Sequence, residues 1–164
     1  MSNYLDKSFV GNINQNLGIA HRIARIYFDN ASEREDVIQE MMFHLWQSYG
    51  KFNNQSKFST WMYSVCLNTA LTYRRKSRKG KVVNLSTLHF QIPDNVNEDK
   101  NEEISLLLEA IGTLSELNKA IVLLYLDNVS YEEIAAILGL SRSNVSVRLV
   151  RIKRDLETEL RSKI

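Results

Sequence analysis

The sequence predicts an all-α protein of two small helical domains joined by a flexible linker, the C-terminal one a helix-turn-helix. Three observations predict it. Apolar residues recur at three- and four-residue spacing along several segments, the period of an amphipathic helix. One proline and six glycines punctuate 164 residues, too few for a turn-rich β architecture. Between the periodic segments, 82–103 holds that proline, Pro93, and an acid-rich run at 94–103. The expected organisation is a front domain at 1–81, a linker at 82–103 and a back domain at 104–164.

The first helix is expected at 14–30, where Leu17, Ile19, Ala20, Ile23, Ala24, Ile26 and Tyr27 mark its inner face. Ser32, with Glu35 three residues on, has capping-box spacing and would start a second helix. That helix runs to about Ser48, and Gly50 ends it. The polar stretch 51–57 is a loop. Ser59 or Thr60 would cap a third helix reaching about Lys76, followed by a basic end at 77–81. Beyond the linker, helices are expected at 104–112 and 115–127 around Thr113-Leu114. Two more, at 130–138 and 142–160, are joined by Gly139-Leu140-Ser141.

Charge is dealt unevenly. Residues 1–81 carry twelve Lys and Arg against six Asp and Glu, 82–129 two against eight, and 130–164 seven against five. Two basic ends around an acidic middle fit contact with a polyanion at two places; they equally fit ordinary solvated surface. An apolar share of 44% allows one ordinary domain or two small ones. Cys66 is the only cysteine, so no intrachain disulfide forms, and its apolar helical setting makes it a buried structural thiol. No apolar run reaches the ~20 residues of a membrane span, and no signal peptide opens the chain. The expected location is cytoplasmic, without membrane insertion.

The densest local signal is SYEEIAAILGLSRSNVSVRLVRIKR at 130–154. Ser130 and Glu133 have capping-box spacing. Gly139 can take positive φ past the helix end, and Ser141 caps the next helix. A short helix, a tight glycine turn and a helix make the pattern of a DNA-binding helix-turn-helix. On a wheel of about 100° per residue, Val145, Leu149, Ile152 and Leu156 share the inner side. The outer side carries Ser143, Asn144, Val147, Val150, Arg151 and Arg154. These supply donors for base edges and phosphates, and small apolar groups for thymine methyls. Arg148 lies on the flank, placed for a phosphate. A helical hairpin with a solvated basic face is the plainer alternative.

In the helix expected from Ser32, Ile38, Met41, Met42, Leu45 and Tyr49 form a broad apolar face with Val37 and Trp46 at its edges. Asp36, Gln39, Glu40, Phe43 and Gln47 form the other face. Phe43 amid polar neighbours fits an interface anchor, or is simply one exposed aromatic. In the next helix Met62, Tyr63, Cys66, Leu67, Ala70 and Tyr73 face the core, while Trp61 falls with Ser64, Asn68, Thr72 and Arg75. An aromatic on a hydrogen-bonding face that leads into Arg74, Arg75 and Lys76 suits a strand-binding surface. Packing of Trp61 under the 51–57 loop is the other option.

Catalytic patterns are missing. His21, His44 and His89 stand in separate segments without metal-ligand spacing. No glycine-rich phosphate loop occurs, and the one cysteine has no evident His partner. The chain is expected to be no enzyme and to hold no cofactor and no metal. A stand-alone helix-turn-helix regulator, with a front dimerisation or ligand domain, remains open at this level.

Three segments in order, DVIQEMMFHLW, KFSTWMYSVCLNTALTYRRKSRK and SYEEIAAILGLSRSNVSVRLVRIKRDLE, resemble a minimal sigma factor of the extracytoplasmic-function (ECF) group of bacterial RNA polymerase sigma factors. The likeness spans nearly the whole chain apart from residues 1–12 and the linker. The combination is specific, whereas the helix-turn-helix alone is shared by many regulators. It implies a front domain that binds the clamp of the RNA polymerase core and captures the −10 element. It implies a back domain that binds the −35 element and the polymerase flap, with no middle domain. Core polymerase and promoter DNA are then the partners, and an anti-sigma factor is a further one. Extended at ~3.3 Å per residue, the linker reaches roughly 70 Å, about two turns of duplex.

By the same resemblance, Asp36, Gln39 and Glu40, with Phe43 beside them, fall at polymerase-facing positions. Asn53, Asn54, Gln55, Ser56, Lys57 and Phe58 form the loop that receives a flipped −10 base, with Trp61 and Asn68 next to it. Arg74, Arg75 and Lys76 match the basic end of the DNA-facing helix. Ser143, Asn144, Ser146, Val147 and Arg151 match −35-reading positions, flanked by Arg142 and Arg148. The chain departs from the family at Met42, where phenylalanine is frequent, and at Ser146, where arginine is common. Its −35 preference therefore cannot be copied from relatives.

Overall fold

In the computed structural model, residues 2–80 and 102–163 are described, with the side chains of 7–77 and 102–163. Seven α-helices and no strand occur among them: α1 Ser2–Tyr27, α2 Ala31–Ser48, α3 Phe58–Gly80, α4 Glu102–Gly112, α5 Glu116–Leu126, α6 Tyr131–Leu138 and α7 Arg142–Ser162. A 3-10 turn, Tyr49–Lys51, follows α2. The chain divides into two compact units, Met1–His89 and Phe90–Ile164. The all-α fold is the one expected. The linker expected at 82–103 lies outside the described residues as far as 101. Its last two positions, Glu102 and Glu103, instead open α4, where acidic side chains favour a helix N-terminus.

In the first unit α1, α2 and α3 pack pairwise around buried Ile23, Met41, Leu45, Met62 and Cys66. Burying each large apolar side chain contributes roughly 1.5–3 kcal/mol. Four boundaries differ from expectation. α1 begins at Ser2 rather than 14, because its early turns find a tertiary partner. The Phe9 ring meets Tyr49 edge-on at 5.2 Å, and Ser8 and Asn12 hydrogen-bond the Tyr49 hydroxyl at 3.1 and 3.4 Å. α2 is capped by Asn30, not Ser32: its side chain accepts from the amides of Ser32 and Glu33. Only three residues separate α1 from α2, and the last of them, Asn30, is the cap. α3 begins at Phe58, which puts Ser59 and Thr60 inside its first turn, and it continues to Gly80. The buried stripe of α2 is Val37, Met41 and Leu45. Val37 is thus central rather than marginal, and Trp46 is 59% exposed.

Two arginines close the C-terminal end of α1, where helix carbonyls lack internal partners. Arg74 of α3 donates to the Tyr27 carbonyl, and Arg34 of α2 donates to the Phe28 carbonyl at 2.7 Å. Phe28, buried just past the helix, meets Tyr73 edge-on at 5.6 Å.

In the second unit α7 packs against α4, α5 and α6, burying Ile111, Ile121, Leu124, Ile134, Leu149 and Ile152. The caps are those the sequence places. The Ser130 hydroxyl accepts from the Glu133 amide at 3.2 Å and the Ser141 hydroxyl from the Asn144 amide at 3.1 Å. Each such cap contributes about 1 kcal/mol. Gly139 turns the chain at φ +69°.

Candidate nucleic-acid interface

The outer row of α7 is built by its inner one. Val145, Leu149, Ile152 and Leu156 are buried, which turns Ser143, Val147, Val150, Arg151 and Arg154 to solvent. Val147 and Val150 are 50% and 57% exposed. Ser146 is half-buried. Two flanking residues are engaged within the unit. Arg142 Nε lies 2.8 Å from Glu132 at the start of α6, an exposed pair of little energetic weight. Arg148, expected to reach a phosphate, instead donates from Nε to Asn144 Oδ1 at 2.8 Å and from Nη1 to Asn118 Oδ1 at 3.3 Å. Periodicity could not reveal Asn118, because it belongs to α5.

In the first unit the 51–57 loop is held by local polar bonds. The Gln55 amide donates to Asn53 Oδ1 at 3.2 Å, and Asn54 takes φ +59°, which asparagine tolerates better than most residues. Asn53, Asn54, Gln55, Ser56 and Lys57 are exposed. Trp61 and Phe58 are half-buried in a cluster beneath the loop. Trp61 lies 5.1 Å from Phe52, 5.4 Å from Phe58 and 6.2 Å from Tyr49. Trp61 thus takes the packed option while retaining a partly open face. Four aromatics between 49 and 61 were the available signal for this cluster. Asn68, Thr72, Arg75 and Lys76 are exposed in the same direction along α3, whereas Arg74 is turned to α1.

On α2, Asp36, Gln39, Glu40 and Phe43 line one open depression with His44 and Tyr73. Phe43 is 52% exposed and lies beside Trp46, ring centroids 6.5 Å apart. No cluster able to ligate a metal occurs among the described residues. No helix among them is long and apolar enough to cross a membrane.

Two family models match the chain: sigma-70 region 2 over residues 13–80 and sigma-70 region 4 over residues 104–156. The chain belongs to the ECF group of sigma-70 factors. As a sigma factor it directs RNA polymerase in transcription initiation. The RNA polymerase sigma factor SigV of Bacillus subtilis is 26% identical over 141 residues, covering 85% of this chain and 83% of its own. The ECF RNA polymerase sigma-E factor of Escherichia coli K12 is 26% identical over 155 residues, covering 85% and 81%. Among solved structures, the sigma factor RpoE of Bartonella quintana, in complex with the anti-sigma factor NepR, superposes with a TM-score of 0.75. It is 19% identical over 94% of this chain and 98% of that one. CnrH, in complex with the cytosolic domain of CnrY, gives 0.72 at 19% identity over 97% and 91%. The region 2 match contains α2, the 51–57 loop and α3; the region 4 match contains the helix-turn-helix.

Proposed function

We propose that this sigma factor acts through two separate DNA-facing surfaces and one polymerase-facing surface. Residues 1–81 form the domain that docks on core polymerase through Asp36, Gln39, Glu40 and Phe43. The exposed loop 53–57, with Phe58 and Trp61 beneath it, receives a base of the opened −10 strand. Asn68, Arg75 and Lys76 follow that strand along α3, with Arg74 bracing the helix they stand on. Residues 104–164 form the −35-reading domain, which sets Ser143, Asn144, Ser146, Val147 and Arg151 in the major groove, with Arg142 and Arg148 at the flank. The chain works in the cytoplasm and does no covalent chemistry itself. Unpairing at −10 costs a few kcal/mol, which pocket contacts to the extruded base offset. An anti-sigma factor is a further partner, as NepR is for the structural relative RpoE of Bartonella quintana.

The outward row on α7, opposite a fully buried inner row, is the observation that carries the promoter-reading part. The test is transcription in vitro. Core polymerase with this chain starts transcripts at a defined promoter; core alone starting at the same sites would refute the role. A stand-alone regulator would fail to bind core polymerase in the absence of DNA.

A further inference from the structure

Val147 and Val150 are exposed for no reason internal to the fold. They stand three residues apart on the outer row of α7, 50% and 57% exposed. A β-branched side chain loses rotamer freedom in a helix and, at an exposed site, gains no burial in return. One exposed apolar residue is ordinary. Two on one row form a small apolar strip, and Arg151 and Arg154 beside it are exposed as well.

Two polar neighbours of the strip, Asn144 and Arg148, are engaged within the protein. A guanidinium is the group best shaped to fork guanine O6 and N7, yet that of Arg148 is drawn to Asn118 on α5 and to Asn144. Asn144 therefore has its side-chain oxygen engaged at 2.8 Å. The bidentate pairing of asparagine with adenine needs that oxygen to accept from N6. Asn144 and Arg148 are thus partly committed within the protein before any base approaches. Beside them α7 presents the pair of valine side chains to a base edge, and the apolar group exposed in the major groove is the C5 methyl of thymine.

Resting on the assignment of α7 to the major groove, we propose that Val147 and Val150 read thymine methyl groups in the upstream promoter element, while the Asn144–Arg148–Asn118 brace keeps hydrogen-bond readout in the background. Specificity at those base pairs is then a matter of apolar contact, with Arg154 holding the helix to the polyanion.

The experiment uses holoenzyme, assembled from core polymerase and the full chain, on a promoter mapped by its own transcript start. Each thymine of the upstream element is replaced in turn by deoxyuridine, which removes the methyl alone. At one or two positions affinity falls about threefold to fivefold, the worth of one buried methyl. Val147→Ala or Val150→Ala abolishes the difference between thymine and deoxyuridine at its own position. Both sites are exposed and alanine is the better helix former, so the fold is kept. If no deoxyuridine weakens binding, or if both variants keep the wild-type sensitivity, methyl reading is overturned. A separate arm scrambles the whole upstream element. Indifference to scrambling removes the groove assignment itself, whereas sensitivity to scrambling without sensitivity to deoxyuridine removes only the methyl contact.

Discussion

The ring Nδ1 of His44 on α2 lies 2.9 Å from the hydroxyl of Thr69 on α3. That hydroxyl gives its one proton to the Val65 carbonyl at 2.7 Å, so the proton between ring and hydroxyl belongs to His44. The ring is therefore protonated at Nδ1 and donates. Thr69 is 3% exposed, and the pair ties α2 to α3. Thr69→Val keeps the volume and removes the acceptor. An unpaired buried donor costs about 1–3 kcal/mol, and Thr69→Ser should recover much of it. Both tryptophans, Trp46 and Trp61, lie in the first unit. Their fluorescence in urea therefore follows that unit alone, and an unchanged midpoint for Thr69→Val would show that the bond contributes nothing.

Arg74 and Arg75 are adjacent and should behave differently. Arg74 caps α1 through the Tyr27 carbonyl; Arg75 is exposed. Arg74→Met is expected to lower the tryptophan-monitored midpoint, since a hydrogen bond to a charged group contributes about 1.5–3 kcal/mol. Arg75→Met leaves the midpoint alone and weakens capture of the opened strand. A salt titration of open-complex formation should then show a slope shallower by about 0.7, one phosphate on a single strand. Equal stability losses for the two variants would contradict this division.

Arg151, exposed beside the valine strip, is expected to read a base. Arg151→Ala should cost about 1–3 kcal/mol on the matched −35 element and relax the preference at one position. A uniform loss on matched and scrambled elements would make it a phosphate contact instead.

Gly139 stands at φ +69° between the two helices of the motif. A Cβ there meets nothing within 4 Å, so Gly139→Ala is penalised by backbone conformation alone, about 1–2 kcal/mol. Asparagine should be tolerated better than alanine. Thermal melts followed by circular dichroism would rank the three, and an alanine variant as stable as the parent would exclude the left-handed turn.

Burial pushes the Cys66 thiol from 9.0 up to about 12. Iodoacetamide at pH 8 should therefore modify the chain only after unfolding, and prompt labelling of the native protein would contradict the burial. Between pH 9.0 and about 12 the folded chain keeps a proton that the unfolded chain releases. The contribution of this group is thus intact below the lower value and is lost as pH rises through the higher one.

Short-range chemistry was readable in advance. The caps at Ser130 and Ser141, the glycine turn at Gly139 and the inner row of α7 each depend on groups a few residues apart, and they stand where the sequence puts them. The open outer row, Ser143 to Arg154, follows from the same periodicity. Packing between helices was not readable. Asn30 and Ser32 are both good caps, and the fold uses Asn30. Val37 became central because α2 is enclosed by both α1 and α3. Trp61 found Phe52, Phe58 and Tyr49. Arg74 and Arg148, which look alike on a wheel to any exposed arginine, reach back to Tyr27 and Asn118, 47 and 30 residues away. A helical period states which way a side chain leaves its own axis. A long, flexible arginine is then claimed by whichever carbonyl or amide the neighbouring helix brings within reach, and only the packed fold supplies that neighbour.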